Sequence, residues 1–100
     1  MERVNPQRDE LTQVVARLHG GEPTWIESVA VCEQFGGRVV WQGVVEVFAL
    51  HAHPIAGKCY AWSYEAEDGR RRYFAVLHSP PVDSPAAAVR AAVASDSKNR

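Results

Sequence analysis

The segment from Lys58 to Ser79, KCYAWSYEAEDGRRRYFAVLHS, decides how this chain folds. Aromatic and apolar residues run up to Asp68-Gly69 and away from it, and Asp-Gly between two such runs is the strongest short-range hairpin signal. With Asp68 and Gly69 as a two-residue turn, Glu67 faces Arg70, Glu65 faces Arg72, Tyr64 faces Tyr73 and Cys59 faces His78. Two of these are opposite-charge pairs, which supports the register.

Upstream lies a second pair of strands. TWIESVAVCEQF (24–35), the glycine pair Gly36-Gly37 and RVVWQGVVEVFAL (38–50) read as a hairpin. A two-residue turn there puts Trp25 opposite Phe48, Cys32 opposite Trp41 and Glu27 opposite Glu46, and two facing carboxylates are unfavourable. Gly43, isolated within a strand, offers a bulge that would shift the register. The strand from Val39 to Leu50 is apolar on both sides, with Val45 and Val47 on one and Val44, Phe48 and Leu50 on the other. Both faces of the sheet centre therefore need cover. Two short helices are not expected to supply all of it, so a second copy of the chain is expected to contribute.

Helices flank the strands. Asn5 caps the first, Pro6 takes its first position and Gly20 or Gly21 stops it, with Leu11, Val14, Val15 and Leu18 forming one apolar stripe. Downstream, SPPVDSP (79–85) ends the last strand, and Ser84 with Pro85 starts an alanine-rich helix. The expected architecture is α+β: an N-terminal helix, a four-stranded antiparallel sheet from two hairpins, and a C-terminal helix. It forms one domain over 1–100, with a core from about 5 to 95 and a frayed tail at 96–100.

Composition narrows the function classes. The chain has 100 residues, 46% of them hydrophobic, and a net charge of −1 from 11 basic and 12 acidic side chains. That balance carries no electrostatic footprint for nucleic acid or an anionic membrane surface. The apolar runs are broken well before the roughly 18 residues of a membrane span. The opening MERVNPQRDE lacks an apolar signal core, so a cytoplasmic protein is expected, in which Cys32 and Cys59 stay reduced.

The residues that look most like chemistry lie in HAHPIAGKCYAW (51–62). His51 and His53 are two apart at a strand end, and Cys59 with His78 opposite would add sulfur and nitrogen, the donors zinc or another transition metal takes. The plainer reading makes His53-Pro54 a turn with imidazoles capping loop backbone, and no cofactor. Cys59 facing His78 also has the make-up of a thiolate–imidazolium nucleophile, with Asp83 able to fold back as the third group. Against that stands the usual role of a strand cysteine as a small core residue. Glu46, alone in VVEVFAL, is a general-acid candidate if buried without a partner, and an ordinary carboxylate if paired with Arg38 or Arg90.

Arg70, Arg71 and Arg72 are cancelled by Glu65, Glu67 and Asp68 around the hairpin tip. By the register above, Tyr60, Trp62, Tyr64 and Tyr73 share a face, either as a ligand or interface surface or as core.

The helix–strands–helix order, with an alanine-rich last helix after a Ser-Pro start, is similar to the double-stranded-RNA-binding fold. That fold has three strands and reads its duplex through lysines at the start of the final helix, where this chain has SPAAAVRAA (84–92). WQGVVEVFALHAHPIAGKCYAWSYE with RRYFAVLHSPPVDSPAAAVRAA also resembles a group of small uncharacterised bacterial proteins, over most of the chain after Thr24. That likeness implies domain limits and no activity.

The expectation is a domain without catalysis of its own that forms a homodimer through its sheet and binds a partner protein or small ligand. The alternatives are a metal-binding or thiol–histidine enzyme centred on His51, His53, Cys59 and His78, and a nucleic-acid-binding module.

Overall fold

A computed structural model describes residues 6–98. The elements are α1 (Pro6–His19), β1 (Glu22–Phe35), β2 (Arg38–His51), β3 (Lys58–Glu65), β4 (Arg71–Leu77) and α2 (Pro85–Lys98). The four strands form one antiparallel sheet in the order β1-β2-β3-β4. This is the expected α+β architecture, with four strands where the double-stranded-RNA-binding fold has three.

Local signals set the element ends. Gly20 donates its N–H to the Ala16 carbonyl and closes α1. Asn5, the expected cap of α1, lies outside the described residues. Ser84 caps α2, its hydroxyl accepting from Ala87 N–H at 3.1 Å. α2 continues to Lys98, past the point where a frayed tail was expected.

The helices lie on opposite faces of the sheet. Leu11 and Val15 of α1 pack on Phe48, Leu50, Cys59 and Ala61. Ala88 and Val89 of α2, with Val82, pack on Val31, Val45, Val47, Tyr60 and Trp62. The two-sided apolar character of β2 is thus met by one helix per face, and over the sheet centre no second copy is required. Each buried large side chain among these contributes about 1.5–3 kcal/mol. Leu18 falls outside the core at 59% exposure.

Both hairpin registers differ from the sequence expectation, for identifiable reasons. Gly36 and Gly37 both have positive φ (61° and 76°), as a tight two-residue turn requires. From that turn, Gln34 pairs with Val39, but Glu33 then pairs with Trp41, leaving Val40 as an extra residue on β2. A matching extra residue on β1, Ile26, restores the register, so Trp25 does face Phe48. Between these two bulges Ser28, not Glu27, faces Glu46, which removes the like-charge conflict. The bulge at Ile26 also exchanges the faces of β1: Trp25 joins the α1 side, while Val29 and Val31 join the α2 side.

Gly43 is not the bulge. It pairs in register with Val31, and a Cβ there would meet the Trp41 indole at 2.9 Å. Gly43 is a glycine because Trp41 lies across it.

In the second hairpin only Gly69 (φ 83°) has positive φ, whereas the two-residue turn expected at Asp68-Gly69 needs it at both positions. The chain instead makes a longer connection in which Ala66 N–H bonds to the Arg70 carbonyl and Gly69 N–H to that of Ala66. The register moves by one residue: Glu65 pairs with Arg71, Tyr64 with Arg72, Ser63 with Tyr73 and Cys59 with Leu77.

Candidate functional site

Because side chains alternate across a strand, the one-residue shift re-sorts every candidate on β4. His78 goes to the α2 face with Tyr60, and Tyr73 to the α1 face, where its hydroxyl donates to Glu10 Oε2 at 2.9 Å. The expected Cys59–His78 pair is therefore absent, since the two residues lie on opposite faces. Tyr73 likewise leaves the group formed by Tyr60, Trp62 and Tyr64.

Cys59 is buried beneath α1. Burial pushes its thiol up to about 12, against a small opposing contribution from a contact with the Tyr60 carbonyl. At neutral pH it is a core hydrophobe and a poor nucleophile. Cys32 is exposed on β1, and both thiols are free.

The two loop histidines are separated by the backbone itself. Ala52 has φ 61°, so the strand period breaks between His51 and His53. His53 Nδ1 accepts the N–H groups of Ile55 and Ala56, each at 3.1 Å, and so caps its own turn. Among the described residues no three His, Cys, Asp or Glu side chains come close enough together to hold a metal ion. The convergence of His51, His53, Cys59 and His78 on a metal does not occur.

Two polar clusters take their place. On the α2 face, the Tyr60 hydroxyl and His78 Nδ1 lie 2.5 Å apart, and His78 N–H bonds to the Lys58 carbonyl. Burial first, and then the Asp83 carboxylate, hold the Tyr60 hydroxyl above the usual tyrosine range. The sequence signal was the strand period, which assigns Tyr60 and His78 to one face once the correct register is used.

On the α1 face, Glu46 is only 5% exposed, and its Oε1 accepts from Trp25 Nε1 at 2.8 Å and Ser28 Oγ at 2.6 Å. The Arg8 guanidinium stacks on Trp25, 3.6 Å from the ring centre. The expected arginine partners of Glu46 are not used: Arg90 lies on the other face and pairs with Glu33 at 2.9 Å. Hydrogen bonds from a tryptophan and a serine were not foreseeable before the bulge at Ile26 was known.

The aromatic residues of the α2 face form a continuous ladder. Trp62 stacks on Phe74 (5.4 Å, 12°), Phe74 on Tyr64 (5.7 Å, 10°), and Trp41 leans on Trp62 at 5.9 Å. Tyr60 and Trp62 are buried with α2 above them, and Trp41, Tyr64 and Phe74 are half-buried around them. These rings are mostly core.

What α1 leaves bare on its own face is the distal half of the β1–β2 ribbon, while α2 covers Val31 and Glu33 on the other. Ala30, Val31, Cys32, Gln42, Gly43 and Val44 line a shallow depression there of about 320 Å³. Val39, Val40 and Val44 are exposed, and the outer edge of β1 has no neighbouring strand among the described residues. No described helix is long and apolar enough to cross a membrane. Comparison with protein-family models, curated proteins and solved structures finds no match.

Proposed function

We propose that this chain is a non-catalytic interaction domain that forms a homodimer through the part of its sheet left bare by the helices. The observation that carries this reading is the uncovered ribbon. Ala30, Cys32, Gln42 and Val44 present an uncharged, partly apolar face beside a long free edge. A long exposed edge strand pairs readily with another chain and is normally covered. A two-fold contact places the same patch on itself, and a patch without charge meets no like-charge penalty when it does. The small net charge of −1 adds little repulsion between copies. A cytoplasmic setting suits the two free thiols. A partner protein is the further ligand in this reading. The balance of Arg70, Arg71 and Arg72 against Glu65, Glu67 and Asp68 weighs against nucleic acid.

Sedimentation equilibrium tests the reading directly. A dimer is expected at micromolar concentration, with Cys32, the one exposed thiol, joined between copies by a short bis-maleimide. Ala30→Glu, which sets carboxylates against each other across the two-fold, is expected to give a folded monomer. A wild-type chain that stays monomeric at high micromolar concentration overturns it.

A further inference from the structure

β2 and β3 pair over only four residues of each, from Glu46 opposite Ala61 to Ala49 opposite Lys58. Both strands then continue without each other, β2 back to Arg38 and β3 on to Glu65. The sheet therefore forks. Continuing the register, Val44 would face Ser63 and Gln42 would face Glu65, and neither pair forms.

The direction of the unused main-chain groups follows from the alternation of an antiparallel ladder. Leu50 N–H bonds to the Gly57 carbonyl, so Leu50, Phe48, Glu46, Val44 and Gln42 aim their N–H and C=O at the β3 side. His78 N–H bonds to the Lys58 carbonyl, so Lys58, Tyr60, Trp62 and Tyr64 aim at β4. That leaves Ser63 and Glu65 aimed back at β2. The fork is lined on both lips by peptide groups with no strand to bond, the arrangement that captures an extended peptide by strand addition.

A second observation lies at the same place. Ser63 is 9% exposed, and its hydroxyl has no hydrogen-bond partner among the described residues. A buried hydroxyl left unpaired is unfavourable. A surface depression lies beyond each lip, one over the β1–β2 ribbon at Ala30–Cys32 and Gln42–Val44, and one of about 460 Å³ at the β3–β4 turn beside Tyr64 and Glu65. On the first side the walls are small and apolar. On the second, Glu65, Glu67 and Asp68 outweigh Arg72.

We propose that the fork between β2 and β3 binds an extended segment of a partner protein, whose main chain pairs with Gln42 and Val44 opposite Ser63. The segment carries alternate small apolar side chains and a lysine or arginine that reaches the acidic side. The segment shares Gln42 and Val44 with the proposed dimer patch, so a chain that binds it as a monomer keeps the fork proposal while the homodimer reading fails.

The test uses the full chain and a phage-displayed library of random linear peptides, followed by synthetic copies of those retained. Retained peptides are expected to share the alternating pattern with a basic residue. On titration they should shift the amide signals of Gln42, Val44, Ser63 and Glu65 in a nitrogen-15 spectrum and slow their hydrogen exchange. Val44→Pro deletes an N–H that β1 does not use, so the ribbon is kept while binding falls about tenfold. If that variant loses its fold by circular dichroism, Glu65→Pro on the opposite lip makes the same test. No retained peptide, shifts confined to other residues, or full binding by a folded proline variant overturns the proposal. So does protection of these four amides that rises with protein concentration alone, which would give the fork to a second copy.

Discussion

The thiol of Cys59 gives a sharp test of the β3–β4 register. In the folded chain burial raises it from 9.0 to about 12, outweighing the contact with the Tyr60 carbonyl. The folded state then keeps its proton to higher pH than the unfolded chain. The stability this provides is complete below pH 9 and is lost as pH rises towards 12. From these two values the loss is about 1 kcal/mol at pH 10 and about 3 kcal/mol at pH 11. Cys59→Ala removes the titration and, at pH 7, costs about 1 kcal/mol of lost packing. Urea unfolding of wild type and variant at intervals from pH 7 to 11 should therefore give two curves that cross near pH 10. The rise of Tyr60, set first by burial and then by Asp83, acts in the same direction in both proteins and cancels except for the smaller part that Cys59 adds to it. In a Cys32→Ser background, iodoacetamide should alkylate Cys59 only as fast as the protein opens. A thiol that reacts quickly at pH 7, or a gap between the curves that widens with pH, would refute burial beneath α1 and revive the cysteine–histidine pair.

Other substitutions probe the remaining contacts. Glu46→Ala strips the acceptor from Trp25 Nε1 and Ser28 Oγ and should cost about 1–3 kcal/mol in urea unfolding, with Glu46→Gln retaining much of that because an acceptor oxygen remains. Gly43→Ala places a methyl 2.9 Å from the Trp41 ring. It should cost about 1–3 kcal/mol and shift the tryptophan fluorescence as Trp41 moves off Trp62. Ser84→Ala removes the cap on Ala87 N–H and should lower stability by about 1 kcal/mol, while Ser84→Asp should hold it.

Local chemistry accounts for what could be read directly. A proline at the start of each helix, a serine cap, paired glycines and an Asp-Gly step act within a few residues of themselves, and α1, α2 and both hairpins fall where those residues place them. The apolar stripe of α1 and the two-sided β2 followed from side-chain period alone. The sites did not, because each candidate depended on a register. Whether the turn at Gly69 takes two residues or more is a difference of a few backbone angles, yet it moves His78 from Cys59 to Tyr60 and Tyr73 to Glu10. The extra residues Ile26 and Val40 have no turn chemistry to announce them. They are set by long-range packing, which turns Trp25 under α1 beside Glu46 while Trp41 lies over Gly43 and against Trp62.

The placement of one helix on each face belongs to the same class. Nothing in either helix names its face, and the choice is made by which combination buries β2 and β3 on both sides at once. The fork is its remainder. Sequence pattern brings β2 and β3 side by side, but where they part depends on side chains more than twenty positions apart along the chain. Period, caps and turns are properties of neighbouring residues and survive in any context. Register, face and fork are settled by packing among distant ones, and exist only once the chain has closed on itself.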